Sequence, residues 1–285
     1  MPALGNALGL PFRKNGLGFV GALDAYLTNL LAVYSINDKL VASYSGSAVR
    51  VRRSSDNTLT DIGFLGNGDF DAASYLAFIG AGNGFAHTVY DQSGNGRDQI
   101  QTSAAAQAQI GVDGNGNYYL YAPGAGSATT NYEAPVSPSV AAPEFMIWGV
   151  GGTAGFWQLP INLRDNTALK ERSLMNYGNS INANFGDNAT GSIPASITLT
   201  PSSVYSMVFG ANGSESKMTN RLSTTTGTRV ASLCNIERIG IGRISGGPAW
   251  LQNAPWYGAA AWNRYSSADL AALATLGKTL IPAAQ

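Results

Sequence analysis

The sequence predicts a mostly β fold: an antiparallel two-sheet β-sandwich with short N-terminal helices and one C-terminal helix. From residue 85 to 262 the chain runs in short apolar or alternating stretches broken by Gly, Asn, Pro and Ser, the pattern of strands joined by turns. Apolar residues at helical spacing occur only before and after that region. A chain of 285 residues also removes about three quarters of its extended surface from water on folding, so one such domain needs no disulfide or metal.

Residues 1 to about 22 open Met1-Pro2-Ala3-Leu4-Gly5 and stay apolar but broken by Gly and Pro, which suits neither helix nor regular strand. Such a segment lies against its own domain or against a neighbouring subunit. Residues 1–33 are therefore expected to form an N-terminal arm with a short helix, an assembly element, ahead of a sandwich domain over 34–285. Residues 23–31 and 36–43 carry apolar side chains at helical spacing, with Asn37 and Asp38 opening the second run. Residues 71–79 read as a third helix, capped by Asp71 and ended by Gly80. Residues 117–121, 144–150, 196–200, 204–209 and 238–242 read as strands. In the last helix Ser266 or Ser267 is the N-cap, Asp269 favours the positive dipole end, and Leu270, Leu273, Leu276 and Leu280 make one stripe before Pro282.

Charged residues are only 12% of the chain, against a typical ~25%, and 17 basic residues balance 17 acidic ones. A surface so short of repulsion tends to associate. That suits a subunit of a large assembly, and it also suits a secreted carbohydrate-active protein. Zero net charge argues against nucleic acid as a partner, because phosphate binding needs a basic excess. The run Arg50-Val51-Arg52-Arg53 reads instead as a strand with solvated arginines and a nearby carboxylate. One cysteine, Cys234, excludes an intramolecular disulfide and reads as a small buried hydrophobe. No signal peptide of the usual form and no stretch long enough to span a bilayer is expected.

The stretch Tyr90-Asp91-Gln92-Ser93-Gly94-Asn95-Gly96-Arg97-Asp98 dictates backbone geometry rather than offering reactive groups. Asp91 can accept amide hydrogen bonds from two residues on, Gly94 and Gly96 allow positive φ, and Asn95 tolerates the left-handed region. It is predicted to be a structural turn. With Ala48-Val49-Arg50-Val51-Arg52-Arg53-Ser54-Ser55-Asp56 before it, this text resembles the catalytic domain of the arabinofuranosidase B family and its relatives among bacteriophage and bacterial concanavalin-like proteins. The stretch from Trp256 to Arg264 looks like the last strand of laminin-G-like jelly rolls. The resemblance spans roughly residues 34–281 and implies a jelly roll.

It also implies a retaining glycosidase, which needs two carboxyl groups about 5 Å apart. The local text departs from that. Where the family has its nucleophile glutamate, this chain reads Ile181-Asn182-Ala183-Asn184, and Ile244 falls where the acid/base aspartate belongs. Glu171 and Asp187 are the carboxylates close by. Other chemistries fare no better. His87, the only histidine, rules out His-rich zinc sites and reads as a core or rim residue; the loop Asp113-Gly114-Asn115-Gly116-Asn117 reads as a hairpin turn, not a calcium loop. The Gly80–Gly84 loop follows a helix and cannot present a helix N-terminus to phosphate.

From these readings the expected function is a non-enzymatic bacteriophage virion structural protein, a capsid decoration, head-fibre or tail-associated subunit, made in the host cytoplasm and located in the virion. Expected partners are other virion subunits in a homo-oligomer, and a cell-surface glycan, with no cofactor, metal, nucleic acid or membrane span. The alternative is a carbohydrate-active protein, either a lectin-like receptor-binding module or an arabinofuranosidase-like glycoside hydrolase. Trp157, Trp250, Trp256 and Tyr257, in or beside turn-rich text, are the candidate sugar contacts, with buried core as their other reading.

Overall fold

The computed structural model describes residues 19–123, 130–141, 161–166, 235–242 and 255–264 with their side chains, and the backbone alone of further strands between them. The elements of the first half are β1 (Leu30–Ser35), β2 (Val49–Arg53), β3 (Leu59–Ile62), α1 (Ala72–Ile79), β4 (Gly84–Val89), β5 (Gln99–Ile100), β6 (Gln109–Val112), β7 (Tyr118–Tyr121), β8 (Tyr132–Ala142) and β9 (Glu144–Gly151). The second half adds β10 (Gln158–Arg164), β11 (Glu171–Tyr177), β12 (Ser180–Asn184), β13 (Ser196–Thr198), β14 (Tyr205–Asn212), β15 (Glu215–Thr219), β16 (Thr224–Gly227), β17 (Cys234–Ile241) and β18 (Trp256–Trp262).

All pairings among these strands are antiparallel. One layer runs β3-β2-β4-β5-β8-β17-β10-β11-β12-β13. The smaller layer runs β1-β18-β9-β14-β15-β16. The β6–β7 hairpin joins them on one side, through Phe85 with Gln109 and Trp256 with Leu120, so the sheet curls into a half-barrel. This is the mostly β, few-helix sandwich the sequence predicts.

Strand periodicity decides what lies between the layers, because successive side chains point to opposite faces. On β2, Val49 and Val51 are buried while Arg50 and Arg52 point away; on β17, Ile239 and Ile241 enter the core. They meet Leu31, Ala32 and Tyr34 of β1 and Trp256, Ala259 and Ala261 of β18, with Leu120 and Ile110 closing the hairpin side. β1 and β18 are buried at every position, β18 between β1 and β9, and β1 as an edge strand covered by the Asp91–Arg97 loop.

The helices ahead of the sandwich are fewer than predicted. α1 forms where expected, with Asp71 accepting from the Ser74 amide at 3.1 Å and Gly80 ending it. Over 23–31 there is only a 3-10 turn, Asp24–Tyr26, before β1 begins. Asp24 there accepts from the amides of Gly21 and Ala42, and β18 offers Leu30 and Ala32–Ser35 ladder partners, which an isolated short helix cannot match. Residues 36–43 form no helix either. Their amides and carbonyls are taken by Gln92 and by chain segments distant in sequence. The C-terminal helix predicted after residue 265 lies almost wholly outside the described residues.

Candidate functional site

Ladder register carries one row of residues across the large layer. Asp61, Arg50, Thr88, Ile100, Glu133, Gly240 and Asn162 are each the partner of the next, and the register continues to Ser173 and Asn184. Their chain neighbours Ile62, Val49, Tyr132, Ile239 and Ile161 belong to the core. The row therefore occupies the face turned away from the small layer. One step along the strands, Pro135, Arg238, Arg164 and Glu171 form the next row.

An ion cluster sits where these rows cross β8, β17 and β10. Glu133 Oε1 accepts from Arg164 Nε at 2.7 Å and from Arg164 Nη2, and Oε2 accepts from Arg238 Nη1 at 3.2 Å. Arg238 Nε donates to Asn166 Oδ1 at 2.8 Å, and the Asn166 amide donates to Glu237 Oε2 at 2.5 Å. With both oxygens held by guanidinium groups, Glu133 is an anchor and not a free nucleophile. Beside it, Asn162 is fully buried with neither side-chain polar atom bonded. A Cβ on Gly240 would stand 2.3 Å from Asn162 Oδ1, so glycine is what lets the amide lie across the strand.

A cavity of about 250 Å³ opens next to the cluster, lined by Pro135, Ser137, Ser139, Asn166, Glu237 and Arg238. It exists because β8 carries extra residues: Arg238 pairs with Pro135 and Ile236 with Val140, so the chain between 135 and 140 bulges from the sheet. Among the described residues no group of three or more His, Cys, Asp or Glu could hold a metal ion. No helix there is long and apolar enough to cross a membrane.

The Asp91 loop joins β4 to β5. Asp91 accepts from the amides of Val33, Ser93 and Arg97 and from the Ser93 hydroxyl. Asn95 Nδ2 donates to the carbonyls of Leu30 and Leu31, both at 3.0 Å, and Gly94 and Gly96 have φ of 81° and 69°. The loop thereby clamps β1, and its polar side chains are spent on backbone.

The sugar-contact candidates are not brought together. Trp256 is fully buried, so its ring offers no face to a sugar. Tyr257 is also buried; its hydroxyl donates to Asp113 Oδ2 at 3.0 Å, and burial, then the Asp113 charge, pushes its pKa up. Trp157 and Trp250 lie outside the described residues. The Asp113 loop is the β6–β7 hairpin turn, its carboxylate accepting from the amides of Asn115 and Asn117. His87 lies on β4 against the Thr88 hydroxyl, its pKa lowered by burial and then by the Arg50 charge. The arginines of β2 are engaged within the chain, Arg50 with Asp61 and Arg53 with Asp56 as ion pairs, Arg52 with Gln107 and Asn57. Sequence reading missed the Glu133 cluster, whose members stand far apart in the chain. The available signal was a lone carboxylate between Tyr132 and Ala134 in an alternating strand.

Residues 24–140 match the family model described as Alpha-L-arabinofuranosidase B, catalytic. A curated Alpha-L-arabinofuranosidase B from Emericella nidulans is 35% identical over 100 residues, 34% of this chain and 20% of that protein. Among solved structures, an arabinofuranosidase complexed with arabinofuranosyl-alpha-1,2-xylobiose is similar over 92% of this chain at TM-score 0.68 and 15% identity. A GH54 α-L-arabinofuranosidase soaked with a cyclic sulfate inhibitor is similar over 92% at TM-score 0.67 and 16% identity. The chain spans 65% and 66% of those two chains' lengths. The sandwich is thus similar, by sequence in its first half and by fold over most of its length, to carbohydrate-active domains.

These matches overturn the expectation of a non-enzymatic bacteriophage virion protein, with the virion location that went with it, since what the chain matches are arabinofuranosidases. The error has a physical source. It took the missing acids at 181–184 and at Ile244 as missing chemistry, whereas a catalytic pair is defined by distance in the fold and can be supplied from other positions.

Proposed function

We propose that this chain is the sandwich domain of an arabinofuranosidase-like glycoside hydrolase, acting on arabinofuranosyl glycosides on the outward face of the large layer. The observation that supports it best is the family match over residues 24–140, on a chain whose fold follows arabinofuranosidases over 92% of its length. The reaction would need one carboxyl group to protonate the leaving oxygen and a second to attack the anomeric carbon or to activate water. Glu133 is already committed to two arginines. Glu171, the register partner of Arg164, and Asp187 are the acids to test for those roles. The purified protein should release 4-nitrophenol from 4-nitrophenyl α-L-arabinofuranoside, with turnover lost in Glu171→Gln or Asp187→Asn. No release above a blank, from protein shown by circular dichroism to be folded, would refute the reading; arabinoside binding without release would make the domain a lectin instead.

A further inference from the structure

We propose that the cavity beside the β8 bulge is a subsite for a neutral sugar residue of a polysaccharide, held away from the bond that is cut. That the polymer carries arabinose rests on the glycosidase reading above; the neutral-sugar chemistry rests on the cavity alone.

The lining is balanced in charge. Arg238 and Glu237 both stand in the wall, and Glu133 and Arg164 pair with each other behind it. Neither an anion nor a cation gains a net opposite charge there. A polyol, whose hydroxyls both donate and accept, can use both signs at once. The groups are also fixed in advance: Asn166 accepts from Arg238 Nε and donates its amide to Glu237 Oε2, while Glu133 holds Arg238 Nη1. Among the described residues nothing engages Glu237 Oε1 or Arg238 Nη2, and Ser137 and Ser139 stand exposed beside Pro135, an apolar surface. Such preorganisation lowers the cost of ordering on binding. At about 250 Å³ the space lies below the ~300–1,000 Å³ of drug-sized ligand pockets, which suits one sugar residue and not an oligosaccharide.

Its position sets it apart from the reacting bond. The cavity is walled at the middle of β17 by Glu237 and Arg238, whereas the text compared with the acid/base turn follows the Ile241 end. The three extended residues from Arg238 to Ile241 span on the order of 10 Å. A substrate of more than one sugar residue is needed to reach both.

Isothermal titration with a neutral arabino-oligosaccharide tests this directly. Glu237→Ala, and separately Ser137→Ala/Ser139→Ala, should weaken binding roughly tenfold, the scale of one hydrogen bond to a charged group, with an unchanged melting transition. Glu237→Gln keeps the shape and should weaken it less. In turnover, Glu237→Ala should raise KM on polymeric arabinan and leave 4-nitrophenyl arabinofuranoside kinetics unaltered. The proposal is overturned if Glu237→Ala binds like the parent, if the parent binds no neutral oligosaccharide, or if oligogalacturonate binds more tightly. Should the parent hydrolyse nothing, the glycosidase reading fails while the titration still decides the subsite.

Discussion

Asp91 gathers hydrogen bonds from Val33, Ser93 and Arg97 at a position that is 3% exposed. Replacing it with Ala would leave the buried Val33 amide without a partner, so Asp91→Ala should lower stability by about 3 kcal/mol, read as a fall in the urea midpoint; an unchanged midpoint would refute this. The local half of that turn is legible in the sequence, because an Asp two residues before an amide and glycines at positive φ are short-range requirements. The bond to Val33 is not, since nothing in the text ties positions 58 residues apart. Asp38 shows the same limit in its titration. Burial, with Asp69's charge adding and the Asn37 amide opposing, pushes its carboxyl from 3.8 up to about 6. Between those values the folded protein keeps a proton that the unfolded chain has lost, so this group's contribution is full below the lower value and fades as pH rises through the upper one. Asp38→Asn should match the parent near the lower value and be the more stable above about 6, measured by denaturant midpoints across that range. A constant difference at every pH would disprove the assignment.

At the scale of elements, Gln92 explains why residues 36–43 defeat a helix reading. Its Oε1 accepts from the Leu40 amide at 2.6 Å, and its Nε2 donates to the carbonyls of Ser35 and Asp38 at 3.0 and 3.1 Å. One buried amide side chain thus does for an irregular segment what a ladder does for a strand. Apolar spacing reports which residues are buried, as it does for Leu23, Leu30, Leu31, Ile36, Leu40 and Val41; it does not report who satisfies the backbone. α1 was legible because its cap is local, Asp71 to Ser74. Gln92→Ala should strand the Leu40 amide and two carbonyls, costing about 2–4 kcal/mol by the usual penalty for unsatisfied buried groups. Amide hydrogen exchange at Leu40 should speed up well beyond that of β18; equal protection in variant and parent would show that the segment is held by something else.

Across the whole molecule, the seam that matters lies between β8 and β17, where the part matched by sequence, ending at residue 140, meets the part matched by fold alone. The strand pattern made the sandwich legible, because periodicity of two survives without any knowledge of partners. It could not show which strands meet, and so it could neither bring Glu133, Arg164 and Arg238 into one cluster nor say where a catalytic carboxylate arrives. The function went astray at that same step. The seam's ion cluster gives the test. Arg164 is only 9% exposed in its side chain and Glu133 14%, so removing the carboxylate leaves a nearly buried guanidinium without its anion. Glu133→Gln should therefore cost roughly 3 kcal/mol, whereas an apolar replacement of all three members should cost much less, since the penalty comes from the uncompensated charge and not from the loss of attraction. Thermal and urea unfolding of Glu133→Gln and of the triple variant Glu133→Leu/Arg164→Met/Arg238→Met would measure both. If the single variant melts with the parent, or if the triple variant is the less stable of the two, the seam is held by packing of Tyr132, Ile239 and Ile161 and the ions merely decorate it.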